Sequence, residues 1–260
     1  MNVQNYINQH VPAQLSIHHV ALFRPFKWLM LAWQDISHHP KASLAHGLIV
    51  TGLIFVTLLI TSIHVYIIAA AISGFMLIGP ILSAGLCELS RQIEQGKTVS
   101  FDSSMQGLSQ SQSSLAQFAG ILLGVSLLWF LLSGLVLLAT IDIAVPSLQQ
   151  LLWGNIFDVV NPSQLIIYVL IGGLLAGIVF MVSVVSVPAI IENNISPIDA
   201  MALSTKVTLE NLATILVWGI LIVTLTVVGF ATYLIAMIVI YPLLSHATWH
   251  AYRDLIDKDI

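Results

Sequence analysis

The stretch ASLAHGLIVTGLIFVTLLITSIHVYIIAAAISGFMLIGPILSAGLC, residues 42–87, contains no Asp, Glu, Lys or Arg, and its reading decides the class of fold. At about 20 apolar residues per bilayer crossing, a run of this length holds two membrane helices. Residues 211–252 repeat the pattern near the other end, and residues 103–141 and 159–191 each hold one more span once polar flanks are allowed for. The expected fold is an all-α membrane protein of six transmembrane helices paired as three hairpins, at about 43–63, 66–90, 117–141, 164–191, 210–229 and 231–249. Continuous apolar runs favour helices over barrel strands, which would alternate apolar and polar residues. Composition agrees: 58% of the 260 residues are hydrophobic and only 8% charged, against roughly 25% charged in a soluble domain.

Charge placement orients the spans. Arg24, Lys27 and Lys41 precede the first span, Arg91 and Lys97 follow the second, Lys206 follows the fourth, and Arg253 and Lys258 follow the sixth. All eight basic residues then fall on one side, and basic loops are retained in the cytoplasm. The expectation is a bacterial inner-membrane protein with both termini cytoplasmic. Residues 1–20 read as a polar tail, 21–256 as a single six-span domain, 142–163 as an outer interfacial loop and 257–260 as a short tail. The start MNVQNYINQHVPAQ lacks a basic n-region and a short apolar segment, so it does not read as a removable signal. Amphipathic stretches before each hairpin, such as ALFRPFKWLMLAWQDISHHPKASLAHGL, are expected to lie on the inner leaflet. In the stretch before the third hairpin, Ser196, Pro197 and Asp199 supply a helix cap, first residue and capping-box acid.

Each returning helix carries a proline, at Pro80, Pro188 and Pro242, where a lost backbone hydrogen bond makes a hinge candidate. No carboxylate or lysine falls near the middle of a span, where ion-coupled carriers place them. The ionisable side chains gather at the inner helix ends. Glu88, Glu192, His246, His250 and His46 are the candidates for lining a ligand cleft there. His246 and His250, spaced i, i+4, share a helix face and are the pair that would hold a metal if one is bound. Gly120 with Gly124, and Gly173 with Gly177, give two spacings that let helices approach closely. Motifs of hydrolases, nucleotide binders and metalloproteases are missing. The single cysteine, Cys87, excludes an intrachain disulfide, and a net charge of -4 gives no reason to invoke nucleic acid.

In GPILSAGLCELSRQIEQGKTVSF, residues 79–101, and HATWHAYRDLI, residues 246–256, the chain resembles a family of bacterial integral membrane proteins known as domain of unknown function 2189, some of whose members carry a cytochrome c oxidase subunit label. The resemblance extends over roughly residues 20–256 and implies a multi-span inner-membrane protein. By position it draws attention to Pro80, Glu88, Arg91, Pro242, His246, Trp249, His250 and Arg253, with Cys87 standing where an aromatic residue is common. The function expected is non-enzymatic: binding of a lipid, small hydrophobic ligand or membrane partner from the cytoplasmic side, with membrane lipids and a respiratory-complex or other membrane protein as partners and no cofactor. The alternatives are a metal- or haem-binding accessory of respiratory oxidase assembly, with His246 and His250 as ligands and His46 or Glu88 completing the shell, and a small-molecule carrier.

Overall fold

The computed structural model describes residues 15–61, 79–138 and 162–258. Ten α-helices are defined among them: α1 Arg24–His38, α2 Pro40–Thr61, α3 Ala84–Glu94, α4 Phe101–Gly107, α5 Gln112–Leu138, α6 Pro162–Ser183, α7 Ser186–Asn193, α8 Pro197–Glu210, α9 Leu212–Ala231 and α10 Met237–Leu255. A 3-10 turn, Leu108–Ser111, joins α4 to α5. Ser111 in this turn is buried, with its hydroxyl donating to the Ile190 carbonyl at 3.2 Å. Strands β1 Leu15–Ile17 and β2 Ile256–Lys258 pair antiparallel, with Ile17 opposite Ile256. The backbone groups of each three-residue segment bond to the other, a pairing that no alternation in so short a stretch announces.

Four helical stretches are long and apolar enough to cross a membrane: Pro40–Leu59, Phe101–Ser133, Val169–Asn193 and Leu212–Ala231. They correspond to the first, third, fourth and fifth expected spans. The second span and the outer loop lie largely outside the described residues. At the sixth, the helix begins at Met237 and runs to Leu255, carrying His246, His250, Arg253 and Asp254, and is not among the four. Before it, residues 232–236 form a short turn after α9. Tyr233 and Leu234 adopt left-handed φ of 54° and 69° there, held by the Leu234 N–H donating to the Gly229 carbonyl at 3.0 Å.

The chain divides into two compact units. The first comprises residues 1–51, 80–118 and 180–260, and the second residues 52–79 and 119–179. In the first unit α10 is the hub, packed against α1, α3, α7 and α9. Trp28 of α1 and Trp218 of α9 meet edge to face at 5.8 Å, and Trp28, Ala32 and Ile36 form the buried stripe of α1. In the second unit the described side chains are mostly exposed and apolar, Leu127, Leu131, Leu170 and Leu174 among them. Trp129 fits against Gly172, where an added Cβ would lie 2.9 Å from its ring. The two Gly-x-x-x-Gly pairs, by contrast, meet nothing within 4 Å of an added Cβ among the described residues, so the close approach is made by Gly172 instead.

Local sequence explains the helix ends. Ser196 accepts the Asp199 N–H at 3.2 Å and donates to the Asp199 carboxylate at 2.7 Å, with Pro197 in the first turn, as the cap signal predicts. The three prolines marked as hinge candidates lie in three different settings. Helix α6 ends at Ser183 and α7 starts at Ser186, so the break includes Val184, the residue whose carbonyl the missing N–H of Pro188 would have taken. The Ser204 hydroxyl of α8 is inserted at that break, accepting the Val185 N–H at 3.4 Å and donating to the Met181 carbonyl at 2.8 Å. Near Pro80 the interruption falls three residues downstream, at Ser83, whose hydroxyl donates back to the Pro80 carbonyl at 2.6 Å. Helix α10 continues through Pro242, and Gly47 of α2 packs on the carbonyl that this proline frees: a Cβ there would lie 2.1 Å from the Ile238 oxygen.

Candidate functional site

The first unit contains a chain of buried hydrogen bonds contributed by four helices. At the end of α1, the Asp35 Oδ2 accepts from the His250 Nε2 at 2.9 Å and from the Ser90 hydroxyl at 2.8 Å. Ser90 Oγ stands 2.6 Å from the His246 Nδ1, and the His246 Nε2 stands 3.0 Å from the Ser43 Oγ of α2. Polarity follows from the hydroxyl of Ser90. Because its proton goes to Asp35, it accepts from Nδ1–H of His246, and in the neutral imidazole Nε2 then accepts from Ser43. His246 and Ser43 have no exposed surface, and Ser90 almost none. The order Ser43, His246, Ser90, Asp35 differs from that of a serine nucleophile, its base and an orienting acid in placing Ser90 between base and acid, and Ser43 has no exposed surface.

Burial raises the affinity of Asp35 for a proton. The hydrogen bond from His250, the facing His250 and His246 imidazoles and the Ser90 hydroxyl outweigh that effect and hold its carboxyl below the ordinary range. The same balance governs Asp254 on α10: burial pushes it up, but hydrogen bonds from Arg24 and Trp28 and the Arg24 charge leave it lowered. Asp254 accepts from Trp28 Nε1 at 2.8 Å, from Arg24 Nη2 at 2.8 Å and from Arg24 Nε. Thus α1 is fastened to α10 at its first turn through Arg24 and at its last turn through Asp35.

A second group of side chains surrounds Glu88 of α3, which is buried. Its carboxylate accepts from Arg91 Nε at 2.7 Å, Arg91 Nη2 at 2.9 Å and Gln92 Nε2 at 2.7 Å. Arg91 also reaches Glu192 of α7 at 4.0 Å, so one guanidinium joins the two candidate glutamates. Hydrogen bonding to Glu88 raises the Arg91 pKa against the opposing effect of burial, and the charges of Glu88 and Glu192 add to the rise. Gly107 makes room for this carboxylate, since a Cβ there would stand 2.1 Å from the Glu88 Oε1. His46 lies in a third setting, with Nδ1 on the Ala42 carbonyl at 3.1 Å, Nε2 3.3 Å from the Ser104 hydroxyl and the Phe101 ring 4.5 Å away. Gly85 faces its imidazole, with an added Cβ 2.4 Å from Nε2.

The sequence candidates are therefore brought into one unit but divided among separate hydrogen-bonded groups. His246 and His250 share Asp35, and Glu88 and Glu192 share Arg91. Among the described residues, no group of three or more His, Cys, Asp or Glu side chains is placed to hold a metal ion; both nitrogens of His246 face hydroxyls and His250 is bonded to Asp35. The residues that sequence reasoning missed are the partners: Asp35, Ser43, Ser90, Gln92, Ser104 and Asp254. Asp35 had a signal, being an acid one position from the buried stripe of α1.

Exposed apolar side chains along helices of spanning length make this a helical integral membrane protein. Residues 67–192 match the model of the family described as "Predicted integral membrane protein (DUF2189)". The match includes residues 79–101, Glu88, Arg91 and Glu192, and ends before residues 246–256, so it is narrower than the resemblance drawn from sequence. No curated protein and no solved structure matches the chain.

Proposed function

We propose that this is a non-enzymatic bacterial inner-membrane protein of six spans paired as three hairpins, with both termini cytoplasmic, that binds a lipid, small hydrophobic ligand or membrane partner from the cytoplasmic side. The one-sided placement of all eight basic residues supports the orientation. The observation that carries the binding role is where the buried polar chain ends. It terminates at Asp35 of α1, and the opposite face of that same helix exposes Phe26, Met30 and Trp33. Polar order inside the unit is thus tied directly to an apolar surface available for binding.

Lipid retention tests the proposal. The protein is extracted with its surrounding membrane, washed in detergent, and its retained phospholipids are compared with those of the bulk membrane. Enrichment of one lipid class is expected, together with its loss in a folded Glu88→Gln, His246→Asn variant. Should that variant not fold, Glu192→Gln with His250→Gln, whose parent side chains are partly exposed, replaces it. Retained lipid of bulk composition, or enrichment that survives the folded variant, contradicts the reading.

A further inference from the structure

We infer that α1 is a membrane-surface helix whose exposed row, Phe26, Met30 and Trp33 with Phe23 just before it, contacts an anionic lipid surface with Lys27 and Lys41 at the headgroups. The inference deepens the proposed binding role and rests on it, naming the surface and the chemistry of its occupant. Phe23 is 69% exposed, Phe26 53%, Met30 54% and Trp33 54%. At 3.6 residues per turn these four positions fall within about 80° of arc, facing away from the stripe of Trp28, Ala32 and Ile36 that packs into the unit. A helix with one buried apolar stripe needs no second one for folding, and four large apolar groups in water are costly, at roughly 25 cal/mol per Å².

Two features identify what covers them. First, the exposed charged side chains from residue 21 to residue 41 are Lys27 and Lys41. The two acids nearest to hand are engaged, Asp35 by His250 and Asp254 by Arg24, so the outward charge of this edge is positive and complements an anionic headgroup. Second, α1 is separated by His39 alone from α2, where a stretch of spanning length begins at Pro40. The last turn of α1 therefore lies at the level where headgroups meet hydrocarbon, and the exposed Leu48 and Ile49 of α2 continue the apolar surface. Aromatic side chains with lysines at that level are the composition of an interfacial helix.

The test uses the full chain in lipid nanodiscs that contain no other protein. Met30→Cys is introduced in a Cys87→Ser background and labelled with an environment-sensitive fluorophore. With phosphatidylglycerol present, quenching by a nitroxide placed high on the lipid acyl chain is expected, with protection from aqueous iodide. Replacing Lys27 and Lys41 by Gln is expected to lower the ratio of embedded to released label by about fivefold for each lysine. Omitting phosphatidylglycerol is expected to act in the same direction. Iodide quenching without nitroxide quenching, or shielding from both, overturns the inference, the latter by showing a protein-covered face. Embedding that ignores both the lysines and the anionic lipid overturns its electrostatic half. Lipid retention measured on the same preparation separates the two readings: enrichment with residue 30 in water defeats this inference alone, whereas an embedded residue 30 without enrichment defeats the broader proposal.

Discussion

In the unit of residues 1–51, 80–118 and 180–260, a histidine with no exposed surface is held between two hydroxyls from different helices. In the unit of residues 52–79 and 119–179, Thr57 donates to the Leu53 carbonyl one turn back in its own helix, and large apolar side chains such as Leu127 and Leu174 face outward. The first arrangement requires particular partners at particular places. The second requires only a medium that tolerates apolar surface, which is what lipid supplies. The contrast teaches that specificity in this chain resides where helices exchange hydrogen bonds, and that the candidate site and the packing core of the first unit are largely the same residues. Polar groups buried in this way are costly to leave unpaired, at about 1–3 kcal/mol each.

Among single substitutions the largest effect is expected at a glycine of the first unit. Gly47→Ala places a Cβ 2.1 Å from the Ile238 carbonyl oxygen and 2.9 Å from Pro242, where backbone cannot yield, and is expected to cost about 3 kcal/mol in thermal or denaturant unfolding in detergent. His246→Ala comes next, at about 2 kcal/mol, because it leaves a cavity and strips the Ser43 and Ser90 hydroxyls of a partner; a near-neutral effect would mean that the buried chain contributes little. Acid acts on the same unit. Asp35 and Asp254 are both held below their ordinary range, so near the unfolded value of about 4 each carries fewer protons folded than unfolded. Their contribution is complete above that value and is lost as pH falls through the lower folded values. A melting temperature followed downward in pH is expected to drop in that window, and less steeply in Asp35→Asn with Asp254→Asn. The smallest effect is expected in the second unit: Gly173→Ala meets nothing within 4 Å and is expected to stay within about 0.5 kcal/mol of the parent or to gain slightly from helix propensity.

How much of this was legible in the sequence depends on the range over which the signal acts. Charge-free runs located the four described helices of spanning length, because the cost of burying charge in lipid acts on every residue of a span. The Ser196, Pro197 and Asp199 cap was legible for the same reason, since a cap is satisfied within four residues. Pro188 pointed to the break at Val184, but the hydroxyl that fills it comes from Ser204, in another helix. The hydrogen bonds of His246 reach across 156 and 203 residues, and that of His250 across 215. No local spacing encodes such pairings. His246 and His250 therefore read as a pair facing a common ligand, when the group they share is Asp35. The glycine spacings misled for a related reason: Gly120 and Gly124 are small, but smallness allows close approach without requiring it, and the helix contact of the second unit uses Gly172 and Trp129.

On the proposed topology, the polar, titratable part of the chain gathers on the cytoplasmic side of the membrane. Single cysteines at Lys41, Lys97 and Glu210, all exposed positions, in a Cys87→Ser background can be reacted with a membrane-impermeant maleimide in intact spheroplasts and in inverted vesicles. All three are expected to react in inverted vesicles and to be protected in spheroplasts; reaction of any one of them in spheroplasts would place it on the opposite side and contradict the account.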